Sequence, residues 1–161
     1  MSGCNTRGMI VVAIDPGLNG GVAILNSDGE LEAFDIPTVG EKAKRRVFGA
    51  TLSRRLVETN VTHAVIEQVS AMPKQGIASA FRFGTAYGQC LGVIEALWLP
   101  LTVVHSSKWK RQAGLDSSKE NSRLKAIETF PKYEHFFTRK RDHNRAEAAL
   151  LANWYFRTEG A

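Results

Sequence analysis

Cysteine is almost absent from this sequence, with two in 161 residues, Cys4 and Cys90. A lone pair builds no disulfide framework, and no Cys/His spacing matches a zinc site. Reduced thiols in a cytosolic protein are the simplest expectation. Long apolar runs are missing as well. The run from Met9 to Ile14 ends at Asp15, too short for the core of a secretory signal. The stretch from Leu91 to Val104 is broken by Glu95 and Pro100, so it is no membrane span of roughly 20 residues. Repeats, low-complexity tracts and linkers are lacking, and proline is sparse at five. One domain over 1–161 is expected, with 1–8 as a loose N-terminus. Hydrophobic residues make up 43% and charged residues 23%, which excludes the disordered and fibrous classes.

What the chain does have is positive charge in one place. Lys and Arg number 21 against 16 acids, a net of +5. Eleven of the bases but only five of the acids fall between His105 and Arg145, so this window carries +6 and the remainder −1. A basic third on a near-neutral body points to a polyanion partner, nucleic acid first. A solvated lysine-rich surface is the plain alternative.

Ile10–Ile14 and Gly20–Leu25 are β-branched runs separated by turn-forming residues, and Leu31–Ile36 follows Ser27-Asp28-Gly29, so three strands are predicted in succession. Arg46–Thr59 has amphipathic helical spacing. Thr62–Glu67 reads as a buried strand, Gly76–Trp98 as a long helix and Leu101–Val104 as a strand. Helices over about 105–114, 118–130 and 142–157 complete the chain. Glycines 84, 88 and 92 share one face of the long helix and would let another helix pack close, with Leu91 and Ile94 beside them. The alternative is that this face covers the protein's own sheet. The order of elements describes an α/β domain with a mixed sheet.

Asp15 and Glu67 each end an apolar strand. A carboxylate there is costly to bury without a compensating cation or donor, and hard divalent cations choose oxygen ligands. Taken singly, Asp15 reads equally as a turn starter and Glu67 as a salt-bridge partner. Asp142 could cap the terminal helix through its dipole. Glu147, flanked by alanines and leucines, is harder to explain that way.

Ile14-Asp15-Pro16-Gly17, then Ile66-Glu67-Gln68-Val69, then the acid-bearing terminal helix resemble the RuvC-type Holliday junction resolvases, which are RNase H-like nucleases. Met72-Pro73-Lys74-Gln75-Gly76 followed by Phe81-Arg82-Phe83-Gly84 is similar to the phage-type branch. The resemblance implies an RNase H-like mixed five-stranded sheet flanked by helices and a homodimer. It also implies a Mg2+-dependent endodeoxyribonuclease with two ions per site, for which Mn2+ would substitute. The implied substrates are four-way and other branched DNA junctions, in the cytoplasm of a bacterial or phage-infected cell. Its implied metal ligands are Asp15, Glu67, Asp142 and Glu147, with Lys119 beside the scissile phosphate. Lys74, Arg82, Lys108, Lys110, Arg111, Arg123, Arg139, Lys140, Arg141 and Arg145 are the candidate DNA contacts, which set affinity more than sequence choice.

Two departures from the family pattern matter. Bacterial relatives place their last two acids three residues apart, but here Asn144 stands three before Glu147 and Asp142 stands five before. Five residues turn an ideal helix by about 140°, so Asp142 converges on Glu147 only from the pre-helical turn. The Asp-x4-Glu spacing is similar to plant chloroplast and some phage resolvases, which selects Asp142. His143, one turn from Glu147, is the rival ligand. Second, Ser70 stands where bacterial relatives carry an aromatic wedge, which passes that role to Met72 or to Phe81 or Phe83. Core packing is the other reading of the phenylalanines.

Three other functions remain to be weighed. The Asp-x-Gly hairpin also resembles the phosphate loop of sugar kinases and actin-like ATPases, but those duplicate the fold in a far longer chain. A non-catalytic junction-binding protein and an RNA-processing nuclease of the same fold stay open.

Overall fold

The computed structural model describes residues 8–159. Cys4 and all but the last residue of the expected loose N-terminus therefore lie outside the described residues. The chain opens with β1 (Ile10–Asp15), β2 (Gly21–Asn26) and β3 (Leu31–Asp35), an antiparallel meander. A small hairpin follows, β4 (Thr38–Val39) with β5 (Arg46–Val47). Next come α1 (Gly49–Glu58), β6 (His63–Glu67), α2 (Ile77–Ala96) and β7 (Leu101–Val104). Three further helices close the chain: α3 (Ser106–Gln112), α4 (Lys119–Thr129) and α5 (His143–Thr158). The main sheet has the order β3-β2-β1-β6-β7, with β6 and β7 parallel to β1. This is the expected mixed five-stranded sheet flanked by helices.

Alternation along β1 explains the layers. Val11 and Ala13 face one side of the sheet, where they meet α5, while Val12 and Ile14 face the other, where α1 and α2 pack. All four are fully buried, as a central strand covered on both faces requires. On the α5 side the helix contributes Ala146, Ala148, Ala149 and Ala152, all fully buried, and these small side chains let it lie close to the strands. Gly21 at the start of β2 serves the same approach, since a Cβ there would overlap the Asn144 backbone. Ser118 caps α4 by accepting a hydrogen bond from the Asn121 backbone N–H at 3.2 Å.

The predicted helix over Arg46–Thr59 is corrected at its start. Arg46 and Val47 pair with Val39 and Thr38, and the helix begins at Gly49. The side-chain amide of Gln89 on α2 holds both backbone groups of Val47, accepting from its N–H at 3.2 Å and donating to its carbonyl at 3.3 Å. A long-range partner thus overrides the local periodicity.

The glycine strip on α2 faces away from the sheet. The buried face of this helix is Ala86, Cys90 and Ile94, and among the described residues nothing lies within 4 Å of a Cβ placed on Gly84, Gly88 or Gly92. The alternative in which the strip packs on its own sheet is therefore overturned. Ile94 is corrected too: it is fully buried in the core and offers no contact to a partner. Leu91 is partly buried against the same core.

Candidate metal centre

Parallel pairing of Ile14 with Ile66 brings the ends of β1 and β6 side by side, so Asp15 and Glu67 emerge together. The third carboxylate arrives from α5. Oxygens of Asp15, Glu67 and Glu147 all lie within 4.8 Å of one another. The first turn of α5 is tied down where it meets the sheet. Asn144 donates from its side-chain amide to the Asn19 carbonyl, and Arg145 donates to Asp35 at 2.7 Å.

The turn that carries Asp15 is held from its other side by Arg45. Its guanidinium donates to the Leu18 carbonyl at 2.7 Å, to Asn19 Oδ1 at 2.9 Å and to Thr38 Oγ1 at 3.1 Å. Gly17 adopts φ +133°, a conformation that L side chains rarely take, and a Cβ there would meet the Phe83 ring. Asp15, Asn19, Phe83, Lys119, Asn144 and Glu147 line one open recess.

Each acid of the group has its own electrostatic setting. Burial, with the charges of Glu67 and Glu147, raises the Asp15 carboxyl well above its ordinary range, against the pull of Lys110 and Lys119. Burial also raises Glu67, opposed by a hydrogen bond from Trp109 and by the Lys110 charge. The Trp109 indole donates to Glu67 Oε2 at 2.9 Å. Lys110 Nζ lies 2.9 Å from Glu147 Oε1, and the Ser122 hydroxyl donates to the same oxygen at 3.3 Å. Three carboxylates so close together, two of them raised by burial and by neighbouring negative charge, are a donor set that a hard divalent cation relieves. The residues present fit such an ion.

Asp142 is not brought to this group. Its side chain is 2% exposed and paired with Arg139 at 2.8 Å, with Arg145 at 3.9 Å. Burial pushes this carboxyl up, but the Arg139 guanidinium and backbone N–H, with the Arg145 charge, hold it below its ordinary range. In this structure the pre-helical turn does not bring Asp142 towards Glu147 as expected but hands it to its arginines. Neither does Asp142 cap α5 through its side chain. His143 is also outside the group. Its Nδ1 is 2.9 Å from the Lys140 carbonyl, and it lines a neighbouring cleft with Arg45 and Arg141.

The candidate DNA contacts divide by their partners. Lys74, Lys108, Arg111, Lys140 and Arg141 are exposed. Lys110 belongs to the carboxylate group. Arg123 pairs with Glu120 at 2.6 Å and donates to the Phe137 carbonyl at 2.8 Å, while Arg139 and Arg145 are engaged as described. Arg82 is exposed and donates to the Ala78 carbonyl one turn back. Among the wedge candidates Met72 is 66% and Phe81 74% exposed, whereas Phe83 is half-buried against the Asp15 turn.

Sequence reasoning missed Trp109, Ser122 and Arg45, and did not foresee the pairing of Lys110 with Glu147. The one signal available was an aromatic beside a lysine on the short helix that follows a central strand.

Among the described residues no helix is long and apolar enough to cross a membrane. No protein-family profile matches the sequence, and no curated protein resembles it significantly in sequence. Solved structures do resemble it. RuvC of Thermus thermophilus in complex with Holliday junction substrate superposes with a TM-score of 0.62 at 17% identity, covering 92% of this chain and 96% of that one. A second Thermus thermophilus RuvC structure gives a TM-score of 0.61 at 17% identity, over 94% and 97% of the two chains. The strand order, the helix layers and these superpositions together establish that the chain is built on the RNase H-like fold of the RuvC Holliday junction resolvases.

Proposed function

We propose that this protein is a structure-selective endonuclease that resolves four-way DNA junctions by Mg2+-dependent phosphodiester hydrolysis. The observation that carries this reading is the convergence of Asp15, Glu67 and Glu147 within 4.8 Å on a RuvC fold. These three acids would hold Mg2+, with Mn2+ as a substitute. The family resemblance implies two ions per site. Held by these acids, such ions would supply the charge that activates a water and stabilises the leaving 3′-oxygen.

The chain's own residues do the rest. Asp15 sits on a turn clamped by Arg45 and Asn144, so its carboxylate is held in place before any ligand arrives. Lys119, on the rim of the same recess, offers a point charge to the phosphoryl oxygens. Lys110 balances Glu147 from inside the group. Lys74, Lys108, Arg111, Lys140 and Arg141 are free at the surface to neutralise backbone phosphates. Met72 and Phe81, both exposed, would part base pairs at the crossover. They also belong to the stretch that favours the phage-type branch.

A junction needs two cuts, and a two-fold dimer supplies two centres. The open strip of Gly84, Gly88 and Gly92 supports a homodimer through α2. The protein would act in the cytoplasm, where bacterial or phage DNA recombines.

Labelled four-way junction, linear duplex and structured RNA, each incubated with the protein in Mg2+, test the reading. Paired nicks across the junction are expected, with little cutting of duplex. Preferred cutting of RNA would make it an RNA-processing nuclease, and binding without cutting would make it a junction-binding module.

A further inference from the structure

The metal centre has a neutral support as well as charged ones. Trp109 is fully buried, and its indole N–H donates to Glu67 Oε2 at 2.9 Å. The next residue on α3, Lys110, reaches Glu147 at 2.9 Å. One short helix therefore hands donors to two acids from different elements, β6 and α5. The far end of α3 is pinned as well, because Trp154 on α5 donates to Gln112 Oε1 at 2.8 Å.

The two donors differ in kind. An ammonium paired with a carboxylate cancels its charge and competes with any incoming cation. An indole N–H is donor only and carries no net charge. It fixes one oxygen of Glu67 and leaves the full negative charge available. The ring is locked among core residues of α4 and α5, so the N–H cannot follow the carboxylate into another rotamer.

We infer that Trp109 is a positioning residue for the metal centre: it commits Glu67 Oε2 and orients Oε1 for the divalent cation. The inference rests on the proposed metal-dependent function. It assigns to the indole N–H a task that the apolar packing of the ring does not perform. Outer-shell partners of this kind typically change metal affinity by roughly 10–100-fold when lost.

Mn2+ binding to the DNA-free protein, titrated by electron paramagnetic resonance, tests this without any cleavage assay. Trp109→Phe removes the donor but shrinks the ring. Replacing residue 109 alone by benzothienylalanine, whose sulfur takes the place of the N–H, keeps the ring size. Both changes should weaken Mn2+ binding about tenfold or more. The benzothienyl protein should keep the parental circular dichroism spectrum and cooperative metal-free unfolding, its midpoint lowered only by the loss of one hydrogen bond. In a Glu67→Gln background the same replacement should change Mn2+ affinity little, because the two groups act as one unit. Parental affinity in the benzothienyl protein would overturn the inference while leaving the metal centre standing. If the parent itself binds no Mn2+, the metal-dependent reading falls and this inference falls with it.

Discussion

Arg139 makes four hydrogen-bond contacts to the Asp142 carboxylate, from its backbone N–H at 2.8 Å and from Nε and Nη2 at 2.8 to 3.2 Å. A carboxylate so engaged and so buried is a structural anion. Asp142→Asn should therefore lower stability by about 1–3 kcal/mol. Junction cleavage should survive at temperatures where the variant stays folded. By contrast Asp15→Asn, Glu67→Gln and Glu147→Gln should each reduce cleavage on the order of 10³-fold or more, the scale on which members of one catalytic unit fail singly. Gel assays of incision beside calorimetry separate the two behaviours. Loss of cutting in a fully folded Asp142→Asn protein would return that residue to the centre.

The same two aspartates should give opposite pH dependences. Asp15 is raised in the folded state, so the metal-free protein binds more protons folded than unfolded and loses stability as pH climbs from the ordinary carboxylate range. Asp15→Asn should then unfold at a higher temperature than the metal-free parent at pH 7, with the gap closing below about pH 4. Asp142 is lowered, so its contribution is present at pH 7 and is lost as pH falls through the carboxylate range. Asp142→Asn should be the less stable protein at pH 7, converging with the parent in acid. Thermal unfolding in chelator across pH checks both signs.

Arg45 clamps the turn behind Asp15 through three contacts that need a planar fork. Arg45→Ala should reduce cleavage about 10²-fold by misplacing the carboxylate, with a stability loss of about 1 kcal/mol. Arg45→Lys should not restore activity, since an ammonium cannot span all three oxygens. Equal activity in the lysine variant would show that the charge, and not the fork, does the work.

Gly88→Leu separates folding from assembly cleanly. Among the described residues nothing lies within 4 Å of the new Cβ, so the protomer should fold normally. Sedimentation should show a dimer in the parent and a shift towards monomer in the variant, with single nicks replacing paired cuts. A variant that stays dimeric and cuts in pairs would move the interface off this strip.

Much of the fold was legible because its strong elements carry strong local signals. The β-branched runs at Ile10–Asp15 and His63–Glu67, and the turn residues between β1, β2 and β3, announce themselves. The hairpin of β4 and β5 does not. Strands of two residues have no period, and Val47 is held by Gln89, far along the chain. In the site, Asp15, Glu67 and Glu147 stood out as acids in apolar company. Asp142 looked alike because spacing describes where a carboxylate could point, not which arginine has already taken it. Trp109 and Lys110 were hidden for a related reason: adjacent helical residues point in different directions, and only the assembled sheet shows that an acid lies along each.

The three carboxylates come from β1, β6 and α5, near the beginning, the middle and the end of the chain. Contacts so distant in sequence form late, after long loops have closed. A nascent chain still short of Glu147 cannot assemble the group, whatever its earlier strands have done. The proposed cutting activity would thus be withheld until α5 docks and would appear in a single step with it.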